Sequence, residues 1–112
     1  MAYSTPAKNA ALEGVGGLVS WVSFHTADPG TTGASEVAGS TRAQTTWSAA
    51  AAGSKTGTPA GVQVPAGGPY THSGLWSASS GGTFGAGAPL PAPETFGSPG
   101  VYNVTPTLTA TG

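Results

Sequence analysis

Short spans of alternating apolar and polar residues run along this chain, punctuated by glycine and proline. "GLVSWVSFH" (17–25) is the strongest strand, with Leu18, Val22 and Phe24 on one face and Val19 and Trp21 on the other. Apolar residues on both faces predict a central strand, or one whose outer face another chain covers. "RAQTTWSA" (42–49) sets Ala43, Thr45 and Trp47 against Arg42, Gln44, Thr46 and Ser48, the alternation of a half-buried strand. "VQVPAGGPYTHSGLWSASSGG" (62–82) predicts a short strand, a tight Pro-Ala-Gly-Gly-Pro connection and a second strand near 70–79. Thr83 and Phe84 start another strand, which Pro89, Pro91 and Pro93 break into an extended edge, because proline cannot donate to a ladder. In the last span Tyr102, Val104, Leu108 and Ala110 share one side and Thr105, Thr107 and Thr109 the other, with Pro106 marking an edge or a bulge. Residues 48–61 are weakly patterned and read as loop.

One span follows helical rules. In "STPAKNAALEG" (4–14) Thr5 suits the N-cap, Pro6 the first helical position and Gly14 the left-handed residue that ends a helix. About two turns are too short to persist alone in water, so Ala7, Ala11 and Leu12 must lean on the domain or on a neighbour. Five to seven short strands, with a turn signal roughly every ten residues, predict a mostly β fold. The expectation is a small antiparallel β-sandwich or barrel with a short N-terminal helix. It forms a single domain over 1–112, with 1–16 as an arm carrying the helix and 17–112 as the β body.

Composition sharpens this picture. Charged residues make up 6% of the 112, against roughly 25% in ordinary soluble domains. Net charge is −1, so association is favoured over colloidal repulsion. Three basic residues cannot neutralise a phosphate backbone, which speaks against nucleic acid as a partner. Nineteen Gly and ten Pro approach the level of disordered chains, but nine aromatics and low charge differ from that signature. Ordered structure is the expectation. There is no cysteine, hence no disulfide and no thiolate metal site. No charged segment followed by an apolar run opens the chain, and no run has the roughly 18 apolar residues of a membrane span, so neither a signal peptide nor a membrane partner is expected.

The candidate chemistry is thin. In "FHTADPGTTGASEV" (24–37) His25 stands three residues before Asp28, a spacing that would let a carboxylate orient a basic imidazole. A small hydrolase is the reading this allows, yet no serine carries a nucleophile motif such as G-x-S-x-G. Asp28, Pro29 and Gly30 are instead a structural turn: proline presets φ, glycine accepts positive φ and Asp bonds a downstream amide. His25, His72, Asp28 and Glu94 are metal-capable residue types at undiagnostic spacing. Glu36 and Glu94 could pass for a glycosidase pair, but four acidic residues give little from which to build a sugar cleft. Glu94 is expected to pair with Arg42 or Lys55 or to stand exposed, and His72 to bond locally on its strand. "GVGG" and "SGGTFGAG" lack the lysine and helix of a phosphate loop. No catalytic, cofactor or metal residue is assigned, and no cofactor is expected.

Trp21, Trp47 and Trp76 lie in predicted strands. With Phe24, Phe84, Phe96 and Tyr102 they are assigned to the core or to an interface. With few long aliphatics the core is marginal, so stabilisation by self-association, in a symmetric trimer or an array on a larger scaffold, is expected. Exposed tryptophans would instead suit a carbohydrate-binding module, the rings stacking on sugar.

Three blocks together are familiar: "VSFHTADPGTTGASEV" (22–37), "SGLWSASSGGTFGAGAPL" (73–90) and "ETFGSPGVYNVTPTLT" (94–109). In this order they resemble short virion proteins of actinobacterial tailed phages, labelled tail fibre or minor tail protein. The Ala-rich opening fits the resemblance, and 48–61 does not align. The resemblance implies a non-enzymatic structural role on the virion, with no active site to carry over, after assembly in the host cytoplasm. The partners it implies are other copies and the major capsid or tail proteins. Small size and low charge tilt the expectation toward a capsid decoration or minor capsid protein, with a tail fibre or minor tail protein as the alternative.

Overall fold

Trp21–His25 is sequestered on both faces, and the rest of the molecule is arranged around it. The computed structural model describes residues 4–109. In chain order the elements are α1 (Thr5–Leu18), β1 (Trp21–His25), β2 (Ala43–Gln44), β3 (Ser54–Thr56), β4 (Ala60–Val64), β5 (Gly67–Trp76), β6 (Phe84–Phe96), β7 (Gly100–Val104) and β8 (Thr107–Thr109). The main sheet is antiparallel in the order β2-β1-β5-β6, with Trp21 opposite Trp76, Phe24 opposite Ser73 and His25 opposite His72. Two antiparallel ribbons, β3-β8 and β4-β7, complete a mostly β fold that does not close into a barrel.

Alternation decides which side chains meet. Val22 and Phe24 point inward with Leu75, and Ala60, Val62 and Val64 of β4 bury every second residue against them. Tyr102 of β7 meets Phe24 edge-on, ring centroids 4.6 Å apart, and Phe96 leans on Tyr70 and Tyr102. The opposite face of β1 and β5 carries Trp21, Ser23, His25, Gly74 and Trp76, joined by Phe84 of β6. It is covered by the chain's own segment 26–41, here termed the strap. A second chain is therefore not needed to bury the outer side of β1.

The helix departs from its expected bounds. Ser4, not Thr5, is the N-cap: its Oγ accepts the Ala7 N–H at 3.3 Å, while Thr5 and Pro6 open the first turn. Gly14 does not end the helix, which continues to Leu18 and closes at Val19. The reason is tertiary. Leu12 and Gly16 are buried, and a Cβ at Gly16 would press into the Lys55 side chain beside Trp47. Glu13 and Asn9 are tied to the Lys55 Nζ, the Ala50 N–H and the Gly53 N–H. These contacts outweigh the roughly 1 kcal/mol by which each interior glycine disfavours a helix. Leu18 thus belongs to α1 rather than to β1, and is 53% exposed.

Four other expectations resolve here. The 42–49 strand is short: only Ala43 and Gln44 join the ladder, although burial still alternates through Thr45 and Trp47. Residues 48–61 are not all loop, because Ser54–Thr56 pairs with Thr107–Thr109. The proline-bearing β6 is an edge strand as expected, and Tyr102, Val104 and Leu108 face inward together. Ala110 lies outside the described residues.

Candidate functional site

The turn after β1 forms as its residues require. Asp28 Oδ1 accepts the Gly30 N–H at 2.9 Å, Pro29 is buried, and Gly30 has φ +61°. Asp28 does not orient His25. The imidazole Nδ1 lies 2.7 Å from the Ala34 carbonyl, which can only accept, so Nδ1 carries the proton. Nε2 then accepts from the Ser23 hydroxyl at 2.8 Å, and Ser23 Oγ accepts the Trp76 indole N–H at 2.9 Å. Trp76, Ser23, His25 and Ala34 form one directed chain in which each donor has an acceptor. Burial is the main cause holding the His25 pKa below its usual value; the Ala34 carbonyl and Glu36 oppose the shift, and Arg42 and His72 add to it.

Ser23 and His25 have the contacts of a nucleophile and its base, but not the access. Both are 0% exposed. A Cβ at Gly74 would stand 2.7 Å from His25 Nε2 and 2.9 Å from Ser23 Oγ, so the space around the pair will not admit even a methyl group. The pair locks the strap to the sheet. Ser23 was not singled out in the sequence; the readable signal was Ser-x-His inside a strand, which puts both side chains on one face.

Arg42 closes the far end of the strap. Its Nε and Nη2 each donate to a Glu36 carboxylate oxygen at 2.8 Å, and Nη1 donates to the carbonyls of Ala78 and Gly81. The guanidinium lies 3.9 Å from the Trp76 ring centroid, with Phe84 edge-on to the same ring at 5.1 Å. The hydrogen bond from Arg42 is the largest cause lowering the Glu36 pKa. Nothing in the sequence marks this pair, since a separation of six residues across the strap carries no periodic signal.

The remaining candidates disperse. Glu94 is exposed, opposite Tyr70, and pairs with neither Arg42 nor Lys55, whose partners are Glu36 and Glu13. Glu36 is committed to Arg42 and does not act with Glu94. His72 bonds Thr71 Oγ1 at 2.8 Å, a local contact. Among the described residues no group of three or more histidines and carboxylates could hold a metal. Trp47, outside any named strand, donates its indole N–H to Val19 O at 2.8 Å. Trp76 is held between Arg42 and Phe84, which takes it out of contention as a sugar platform; Trp21 is half-buried.

An uncharged groove of about 320 Å³ lies on the other side of the sheet from the strap. Ala86–Pro91 of β6 form one wall, 102–108 of β7 and β8 the other, and Val22 and Leu75 lie at its base. No charged side chain lines it. Among the described residues β6, β7 and β8 are each hydrogen-bonded on one side only, and Pro89 and Pro91 remove donors from the β6 edge. The arrangement offers uncharged contact surface.

Residues 18–109 match the model of the family described as Podophage GP4 fiber I protein gp80. The chain belongs to that family. The match takes in all eight strands, the strap and both walls of the groove, and leaves α1 outside except for Leu18. Membership makes the chain a phage virion component. No curated protein sequence matches it. Among the described residues no helix is long and apolar enough to cross a membrane.

Proposed function

We propose that this protein is a non-enzymatic structural subunit of the phage fibre, which works by self-association and by docking on neighbouring virion proteins. The fibre-family match over 18–109 carries the reading. The geometry supports it in two ways. The groups resembling catalytic machinery are spent internally, in the Trp76–Ser23–His25–Ala34 chain and the Arg42–Glu36 clamp. The outward surface offers uncharged contact instead: Val15 and Leu18 on α1, Val101 on β7, and the groove.

A decoration position on the capsid surface is the competing reading, favoured by the small size of the unit, 45 × 25 × 24 Å. Gold-labelled antibody against the folded chain, applied to intact virions, separates the two. The fibre assignment expects gold along or at the tip of the appendages. Gold spread over the head would replace it with the capsid reading, and particles without label or protein would reject both.

A further inference from the structure

The strap is fastened to the sheet through a histidine that serves no chemistry elsewhere in the molecule. We propose that the 26–41 strap is an acid-releasable cover, held closed while His25 is neutral and freed when the imidazole takes up a second proton.

In the closed form Nδ1–H donates to Ala34 O on the strap and Nε2 accepts from Ser23. A proton added at Nε2 turns that acceptor into a donor. Ser23 Oγ would then receive both the imidazolium and the Trp76 N–H, and its own hydroxyl proton would lose its acceptor. One proton therefore creates a buried cation and a buried unsatisfied O–H together, both unfavourable.

The groups facing the ring do not offset this. Glu36 on the strap favours the cation, but Arg42 neutralises it through two hydrogen bonds. Arg42 itself and His72 on β5 oppose the added charge. From β6 the ring meets Phe84, and the Asp28 carboxylate is turned to the Gly30 N–H. Opening the strap hydrates the imidazole; it withdraws Val37 from the edge of the core and Thr41 from its bridge to Gln63, while the β4–β7 ladder keeps its own hydrogen bonds.

The sign follows from linkage. Burial lowers the closed-state pKa of His25, so the open state binds the proton more tightly. Closure is at full strength above the ordinary histidine value of roughly 6.5 and weakens as pH falls toward the lowered one, by at most tenfold per pH unit. Glu36 stays ionised across this window, because Arg42 holds its carboxyl below the usual range.

Amide hydrogen exchange on the full chain from pH 7.5 to 5, corrected for intrinsic rates, tests the proposal. Protection at the Thr26, Gly33 and Val37 amides, which bond Ser35, Pro29 and Phe24, should fall progressively below roughly pH 6.5, by no more than tenfold per pH unit, while the β4–β7 amides stay protected. In His25→Gln the strap amides should lose this pH dependence. Should that variant fail to fold, ¹⁵N-histidine spectra of the unaltered chain serve instead: they should show an Nδ1–H neutral ring at pH 7.5 that titrates in step with strap exchange. Unchanged strap protection, simultaneous loss in β4–β7, a His25 already charged at pH 7.5, or equal acid sensitivity in His25→Gln would each overturn the proposal.

Discussion

Two glycines of the strap separate conformational from steric constraint. Gly33 has φ +79°, and a Cβ there would stand 2.5 Å from the Trp76 ring and 2.9 Å from Phe84. Gly30 has a similar φ of +61° but open space around it. Gly30→Ala should cost about 1 kcal/mol from the backbone alone, and Gly33→Ala about 3 kcal/mol with the added overpacking. Urea midpoints measure the difference; equal losses would show that the strap does not press on the Trp76–Phe84 layer. The turn at Asp28, Pro29 and Gly30 was legible in the sequence because the constraint lies within three consecutive residues. Of the Ser23–His25 pair only the shared strand face was legible, and the Arg42 clamp was not. Their partners come from other strands and loops, and nothing local distinguishes a histidine that bonds Ala34 from one that bonds Asp28.

At the scale of elements, α1 shows where local rules give way. Gly14 and Gly17 sit in the helix with nothing within 4 Å of where a Cβ would stand, whereas Gly16 is pressed against Lys55. Gly14→Ala and Gly17→Ala should each stabilise the isolated protein by about 0.5–1 kcal/mol, seen as a higher urea midpoint and stronger helical dichroism. Gly16→Ala should have the opposite sign. Gly14 read as a stop signal because its position in sequence says nothing of the Lys55 and Glu13 bond that carries the helix past it. That bond also makes docking acid-labile: the hydrogen bond from Lys55, with the Ala50 N–H, lowers the Glu13 pKa. Its contribution is present above the ordinary carboxylate range and is lost as pH falls through the lowered value. β6 behaves in the opposite way. Its prolines declare an edge strand in sequence, because the missing N–H acts on the ladder directly.

For the whole molecule, turn spacing and alternation sufficed to give a β fold with an N-terminal helix, since both follow from residues near in sequence. What covers the second face of β1 was open, because that depends on which segment folds back over it. The strap answers that question within one chain, which leaves the uncharged surface on α1, β7 and the groove walls as the surface for the proposed self-association and docking. Sedimentation equilibrium of the purified chain over a range of loading concentrations addresses this most directly. Self-association requires a mass that rises to a whole-number multiple of 10.7 kDa. A single species of 10.7 kDa that stays soluble and unchanged at the highest concentration would contradict it.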